Sequence, residues 1–421
     1  MYMKIKIITV MSLLLMIAGI QTVSAQPSKD IPQIQPGMYL ATGLDWKGES
    51  TQNTCWNKIC EDPKGRIWFA GGDHWGTDRA GGAYADRYDR PWGFGNTTVH
   101  YYNPKEDKAY DVFELNRASA IYSNAETPGH GKIHSNIQVD SKGGIWVAGY
   151  LGSSYNHEFT NAYFPKSYAG GAIVRYDPED EDFDYFGIPT PFGGQVALYL
   201  DEKHTTIYGF SVDRARFWSV NYDTMELKQY ETSGRFGLRE MIMDNDGKCY
   251  FANEYQGLTV FDPKTETFED LPIKIPGLRA SCVSSKNIIY GICSDGNVWS
   301  YNPKSKKVHN FGHIVQLPEE RVYTPNIAID EKWNRLYFIA GGHGVTLAGM
   351  PIVTILDLKT EKFSWPGKID VDGCYGAVVG SDHSVYFGCY AYAQKNGKRL
   401  KNKADKEYRT NYLIKYVPEK K

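Results

Sequence analysis

A chain of 421 residues with 47 Lys and Arg against 49 Asp and Glu carries a formal net charge of −2, far from the basic balance that a duplex-binding surface needs. Aromatic residues make up 14%, with 31 Tyr, and Gly reaches 42, a combination that suits short strands and tight turns rather than helices. The length would ordinarily suggest two or three domains, but a repeat architecture runs long as one domain because each unit needs its neighbours.

At the start of the chain, Lys4 and Lys6 form a short basic region, an apolar run extends from Ile7 to Ile20, and Val23-Ser24-Ala25 supplies small residues. This pattern predicts a signal peptide over residues 1–25, cleaved after Ala25, and a secreted or periplasmic protein. The apolar run is short for a membrane span, no later segment approaches that length, and no Cys follows the cleavage point, so neither an anchor nor lipidation is expected. Without Lys4 and Lys6, 45 basic residues stand against 49 acidic ones, a net charge near −4.

From Pro36 onward the chain repeats itself. An aromatic, an Asn or Asp and a Pro recur at Tyr102-Asn103-Pro104, Tyr176-Asp177-Pro178, Phe261-Asp262-Pro263 and Tyr301-Asn302-Pro303, with weaker copies at Tyr222-Asp223, Leu356-Asp357 and Tyr416-Val417-Pro418. Pro presets the turn and the Asx side chain closes it, so each copy reads as the hairpin between the two outer strands of a blade. Before each turn lies a strand with an aromatic at a fixed place: Trp68, Trp146, Tyr208, Tyr250, Tyr290, Tyr337 and Tyr386. Repeating positions usually serve the repeat, so these seven are read as packing between blades. Each is preceded by an apolar strand and a polar turn, such as "ICEDPKG" or "IQVDSKG". Both series run to about seven, which predicts an all-β, seven-bladed β-propeller of four antiparallel strands per blade over residues 26–421. The early segment "GMYLATG" is expected to complete the last blade as its outer strand and close the ring.

Seven Cys, at 55, 60, 249, 282, 293, 374 and 389, are an odd number in an oxidising compartment. Most lie in apolar strands and read as buried thiols; Cys282 with Cys293 and Cys374 with Cys389 are the hairpin pairs where a disulfide is conceivable.

Function is expected where loops are long. Residues 73 to 98, 150 to 170 and 393 to 409, and the stretch from Asn116 to His134, exceed what the repeat needs. His74, His134, His157, Arg214, Arg216, Arg239, Tyr255, Arg279, Tyr323 and His343 fall in such loops or at the starts of inner strands. Together they suggest a cationic funnel for an anionic ligand, so an acidic polysaccharide or oligosaccharide is the expected partner. No Ser nucleophile elbow, Walker loop, dinucleotide fingerprint or His-Glu-x-x-His helix is present, and paired carboxylates for an ordinary glycosidase are hard to find. No tight His or Cys spacing marks a metal site; the sequence requires no cofactor and leaves a structural divalent metal open.

With "NTCWNKICEDPKGRIWFAGGDHW" and the series His134, His157, Tyr199 and Arg214, the mature chain resembles the seven-bladed propellers related to ulvan lyases. It is similar also to the neighbouring Bacteroides-type branch that includes α-L-rhamnosidases acting on L-rhamnose-α-1,4-D-glucuronate. In such lyases two His, a Tyr and an Arg surround the uronate; here His134 and His157 are 23 apart and Tyr199 and Arg214 are 15 apart, with Arg216 a substitute for Arg214. The resemblance implies β-elimination, in which Arg214 neutralises the carboxylate, His134 or His157 acts as base, and Tyr199 protonates the leaving oxygen or shares the base role. His74, Arg216, Arg239, Tyr255, Arg279 and His343 would help bind substrate. The rhamnosidase branch depends on a His near the start of blade 1, where this chain offers Gln52, with Asn57 nearby; an amide holds a sugar hydroxyl but does not exchange a proton in the useful range. A polysaccharide lyase on a uronate-containing glycan is therefore the leading expectation, with an α-L-rhamnosidase and a non-catalytic glycan-binding propeller as alternatives.

Overall fold

The computed structural model describes residues 37–40, 54–55, 58–72, 97–121, 129–150, 168–212, 216–230, 232, 236–253, 256–275, 277–314, 324–340, 351–369, 371, 373–392, 394–395, 398–399 and 409–419. They form seven antiparallel sheets in a ring, the propeller expected from the repeat. Blade 3 is representative: Gln195–Asp201, Thr206–Ser211, Arg216–Asn221 and Leu227–Tyr230 pair in sequence order as strands a to d, from the axis outward. Blade 4 repeats the plan with Phe236–Met243, Cys249–Asn253, Gly257–Asp262 and Thr267–Lys274. In blades 1 and 2 strand a is broken into two short pieces, Thr54–Cys55 with Cys60–Glu61 and Lys132–Ile133 with Gln138–Val139.

Strand b reads as a continuous apolar run because both of its faces are covered by neighbouring blades. Ile67–Gly72 and Arg335–Ala340 are buried at every position, whereas the outer strands Leu227–Tyr230 and Lys307–His313 are mostly exposed. The core is accordingly not one mass. Seven apolar clusters each straddle one seam: Trp68 with Ile137 and Val174 between blades 1 and 2, Phe217 with Phe251 and Phe261 between blades 3 and 4, and Cys55 and Phe69 with Tyr386 and Leu413 between blades 1 and 7.

The outer hairpins form as their residues dictate. Asn103, Asp177, Asp262, Asn302 and Asp357 each accept a hydrogen bond from the backbone N–H two residues on, the Asx closure that the sequence predicts; in blade 3 the closing side chain is Asn221, which accepts from the Asp223 N–H, so the turn begins before the expected Tyr222-Asp223. Tyr416-Val417-Pro418 differs. It ends the strand Arg409–Tyr416, and the described residues after it, 417–419, are not in a strand; the segment that lies along Arg409–Tyr416 is Gly37–Leu40, with Gly37 opposite Lys415 and Leu40 opposite Tyr412.

On the opposite side of each blade, the a–b turns are joined across the seams by side chains. Glu202 of blade 3 accepts from the Ser141 backbone N–H and hydroxyl of blade 2 at 2.9 and 2.6 Å. Glu331 of blade 6 holds Ser285 of blade 5 in the same way, and Glu61 of blade 1 holds Ser381 of blade 7 at 2.8 Å.

None of the seven cysteines is in a disulfide. Cys374 and Cys389 face each other across the first hairpin of blade 7, whereas Cys282 sits opposite Tyr290 and Cys293 opposite Leu278, because the register of that hairpin is set by its turn. Cys282 and Cys293 are therefore not cross-strand partners.

Candidate active site

Inner strands carry small and polar residues toward the axis, and there they enclose a cavity of about 560 Å³ walled by all seven blades. It reaches the a–b turns at Glu202, Lys203 and Asn245. Lys58, in the interruption of strand a of blade 1, projects into it and forms an ion pair with Glu240 of blade 4. The Lys58 ammonium also donates to Tyr199 Oη of blade 3 at 3.4 Å, and Ser281 Oγ of blade 5 donates to Glu240 at 2.5 Å. Four blades thus meet in one polar network around the axis.

Burial alone would lower the Lys58 pKa, yet Glu240 and Tyr199 outweigh it and hold the ammonium above its usual range. Burial pushes the Glu240 carboxyl up, against the pull of Lys58 and Ser281. The Tyr199 phenol is likewise raised by burial, with Lys58 and Asn136 pulling it back. At neutral pH Tyr199 is therefore a proton donor beside a cation. Two thiols also border the cavity: burial pushes Cys282 up to about 12 and Cys60 higher still, so neither is a nucleophile at neutral pH.

Of the residues singled out from sequence, Tyr199 lies in this cavity. His134 does not border it; its ring lies 5.4 Å from that of Tyr150 at the edge of blade 2. Arg216 begins strand c rather than an inner strand, opposite Ser211, and its guanidinium donates to Gln229 of strand d at 3.1 Å. That places it on the flank of blade 3, because strand c is the third strand from the axis. Arg279, in strand a of blade 5, donates to Ser294 Oγ at 3.1 Å, and Arg239 lies where the register of strand a of blade 4 shifts between Phe236 and Met241. Gln52, Asn57, His74, His157, Arg214, Tyr255, Tyr323 and His343 lie outside the described residues. Lys58, Glu240 and Asn136 were missed by the sequence reading. The one signal available was a Lys between two strand-like Cys-containing segments in "CWNKICED", where a turn or an alternating strand would equally place a surface charge.

Among the described residues no group of three or more His, Cys, Asp or Glu is arranged to hold a metal ion, and no helix is long and apolar enough to cross a membrane.

No protein-family model and no curated protein matches the chain. Solved structures do. The extracellular domain of BT4673 from B. thetaiotaomicron, described as part of a hybrid two component system, aligns over 92% of this chain with a TM-score of 0.57 at 12% identity; the chain spans only 44% of that protein's chain. Virginiamycin B lyase from Staphylococcus aureus aligns over 90% of this chain and 99% of its own, with a TM-score of 0.54 at 12% identity. The WD40 repeats of RRP9 align over 91% and 99%, with a TM-score of 0.53 at 11% identity. At such identities these similarities establish the propeller fold and nothing finer.

Proposed function

We propose that the protein is a secreted polysaccharide lyase that cleaves a uronate-containing, rhamnose- and glucuronate-bearing glycan by β-elimination. The observation that carries this reading is the Tyr199 hydroxyl 3.4 Å from the Lys58 ammonium on the wall of a cavity of about 560 Å³. Elimination removes the C5 proton of the uronate, forms the C4–C5 double bond, breaks the C4–O bond and hands a proton to the departing oxygen. Tyr199, kept protonated by burial, is the donor to that oxygen. Lys58 supplies positive charge where the carboxylate gathers electron density, with Arg214 as the neutralising partner that the family resemblance implies. The resemblance makes His134 or His157 the base; His134 does not border this cavity, and His157 lies outside the described residues. The S. aureus neighbour bears the name of a lyase, which supports elimination as chemistry this fold accommodates.

One observation favours a second reading, a glycan-binding propeller without catalysis. Glu240 already compensates the charge of Lys58, so the network has a structural use of its own. The hydrolase alternative rests on Gln52, which the described residues do not include.

Digestion of a rhamnose- and glucuronate-containing glycan separates the three. A lyase produces the ultraviolet absorbance of an unsaturated uronate, and Tyr199→Phe lowers its rate by about 10²–10⁴-fold without unfolding the chain. Rhamnose released without that absorbance makes the protein a hydrolase. Saturable binding with neither product makes it a binding module.

A further inference from the structure

A closed repeat makes its exceptions visible. In four blades the aromatic of strand b gives its polar tip to an Asp of the preceding a–b turn. Trp68 Nε1 donates to Asp62 at 2.8 Å, Trp146 Nε1 to Asp140 at 3.0 Å, Tyr250 Oη to Asp244 at 2.9 Å and Tyr386 Oη to Asp382 at 3.0 Å. The other three blades depart from this, blade 3 among them. Its turn acid Asp201 is held by His204 Nδ1 at 2.8 Å, and Tyr208 Oη has no hydrogen-bond partner among the described residues although the side chain is only 5% exposed.

Tyr208 instead borders a cavity of about 260 Å³ between the outer halves of blades 3 and 4. Tyr208 and Tyr230 are the aromatic residues of its lining, and both stack on the buried Phe217 behind them, with centroids 5.9 and 5.1 Å apart. The rim is polar, with Lys228 of blade 3 paired to Glu266 of blade 4 at 2.5 Å, and Glu226 and Lys264 beside them.

We propose that this interblade cavity is a second ligand site, which takes one neutral, hydroxyl-rich ring such as a pyranose residue, with Tyr208 Oη as the central donor. Its volume falls below the roughly 300–1,000 Å³ of sites for larger small molecules, so a single ring fits. The two carboxylates and two ammoniums on the rim offset one another, which removes any selection for a charged ligand and leaves donors and acceptors for hydroxyls. The aromatic lining suits the apolar face of a sugar. Burial keeps the phenol protonated across the physiological range, so it donates. None of this depends on the axial cavity or on catalysis there.

Methyl α-L-rhamnopyranoside and methyl β-D-glucopyranoside, titrated onto the whole protein and followed by saturation-transfer NMR, test the site. At least one should bind saturably with a Kd on the order of millimolar, as expected for so few atoms. Tyr208→Phe should weaken that binding about 5- to 10-fold and leave the melting temperature unchanged or higher, because the lost hydroxyl had no protein partner. Tyr250→Phe, which breaks the bond to Asp244, should lower the melting temperature and leave binding as it was. Glu266→Gln, an exposed change on the rim, should also weaken binding. The proposal fails if neither glycoside saturates, if Tyr208→Phe and Glu266→Gln both bind like the unmodified protein, or if Tyr208→Phe loses as much thermal stability as Tyr250→Phe.

Discussion

Lys58 and Glu240 are three blades apart in the ring, so their ion pair is a bond across the axis rather than along it. Removing one member leaves the other buried and unpaired. Lys58→Met is expected to cost about 3 kcal/mol of unfolding free energy, and Lys58→Met with Glu240→Leu to recover most of it, both measured by denaturant titration. His130 offers a different residue-scale test. Burial lowers its pKa to about 3, with Nδ1 at 3.0 Å from Tyr168 Oη and Nε2 without a partner. Between that value and the ordinary histidine range the unfolded chain binds the extra proton and the folded one does not. Stability therefore falls as pH drops through this window, with a slope approaching about 1.4 kcal/mol per pH unit from this residue. Urea unfolding at a series of pH values between neutrality and pH ~4 should show a shallower dependence for His130→Gln. Tyr199 was legible in the sequence because a family resemblance pointed at it. Lys58 and Glu240 were not, since a lone charge in a short inner strand has no spacing that marks it, and only ring closure brings the two together.

Strands and turns were far more legible. Continuous apolar runs announced the b strands, and the Asx-containing turns announced the outer hairpins, since both signals are local. What local reading did not reveal is the residue that follows: Asp107, Glu181, Met225, Glu266, Lys306 and Glu361 each take a left-handed backbone, with φ between 51° and 61°. A side chain pays a steric penalty there that glycine avoids. Lys306→Gly and Glu361→Gly, both exposed, are expected to raise stability by up to about 1 kcal/mol, readable as a shift in the denaturation midpoint; a loss would show that the lost side-chain contacts or the freer unfolded chain matter more. The aromatics of strand b were read as packing residues, and they do pack between blades. The hydrogen bonds that four of them give to turn acids escaped that reading, because the turns already account for acids at those positions.

At the scale of the whole molecule, the blade count followed from the repeat, and seven seam clusters stand in place of a single core. Gly37–Leu40 lies along Arg409–Tyr416, and we expect it to act as the closing strand. A chain that begins after residue 40 should then melt at a lower temperature than one that begins at residue 26 and expose the edge of Arg409–Tyr416 to amide exchange; equal melting and exchange would assign closure to the seam alone.

The acid clasps on the a–b turns give the ring a sense of rotation. Glu202 reaches back to Ser141, Glu331 to Ser285 and Glu61 to Ser381, each from one blade to the blade before it, and the junction of blades 1 and 7 is fastened like an interior one. The hooks lie on blades 1, 3 and 6 and the eyes on blades 7, 2 and 5, so each clasp fastens its own seam and nothing in it counts blades. The number is left to the wedge angle of the apolar seams, and a change in their side-chain volume, rather than in the turns, is where a propeller of this kind would gain or lose a blade.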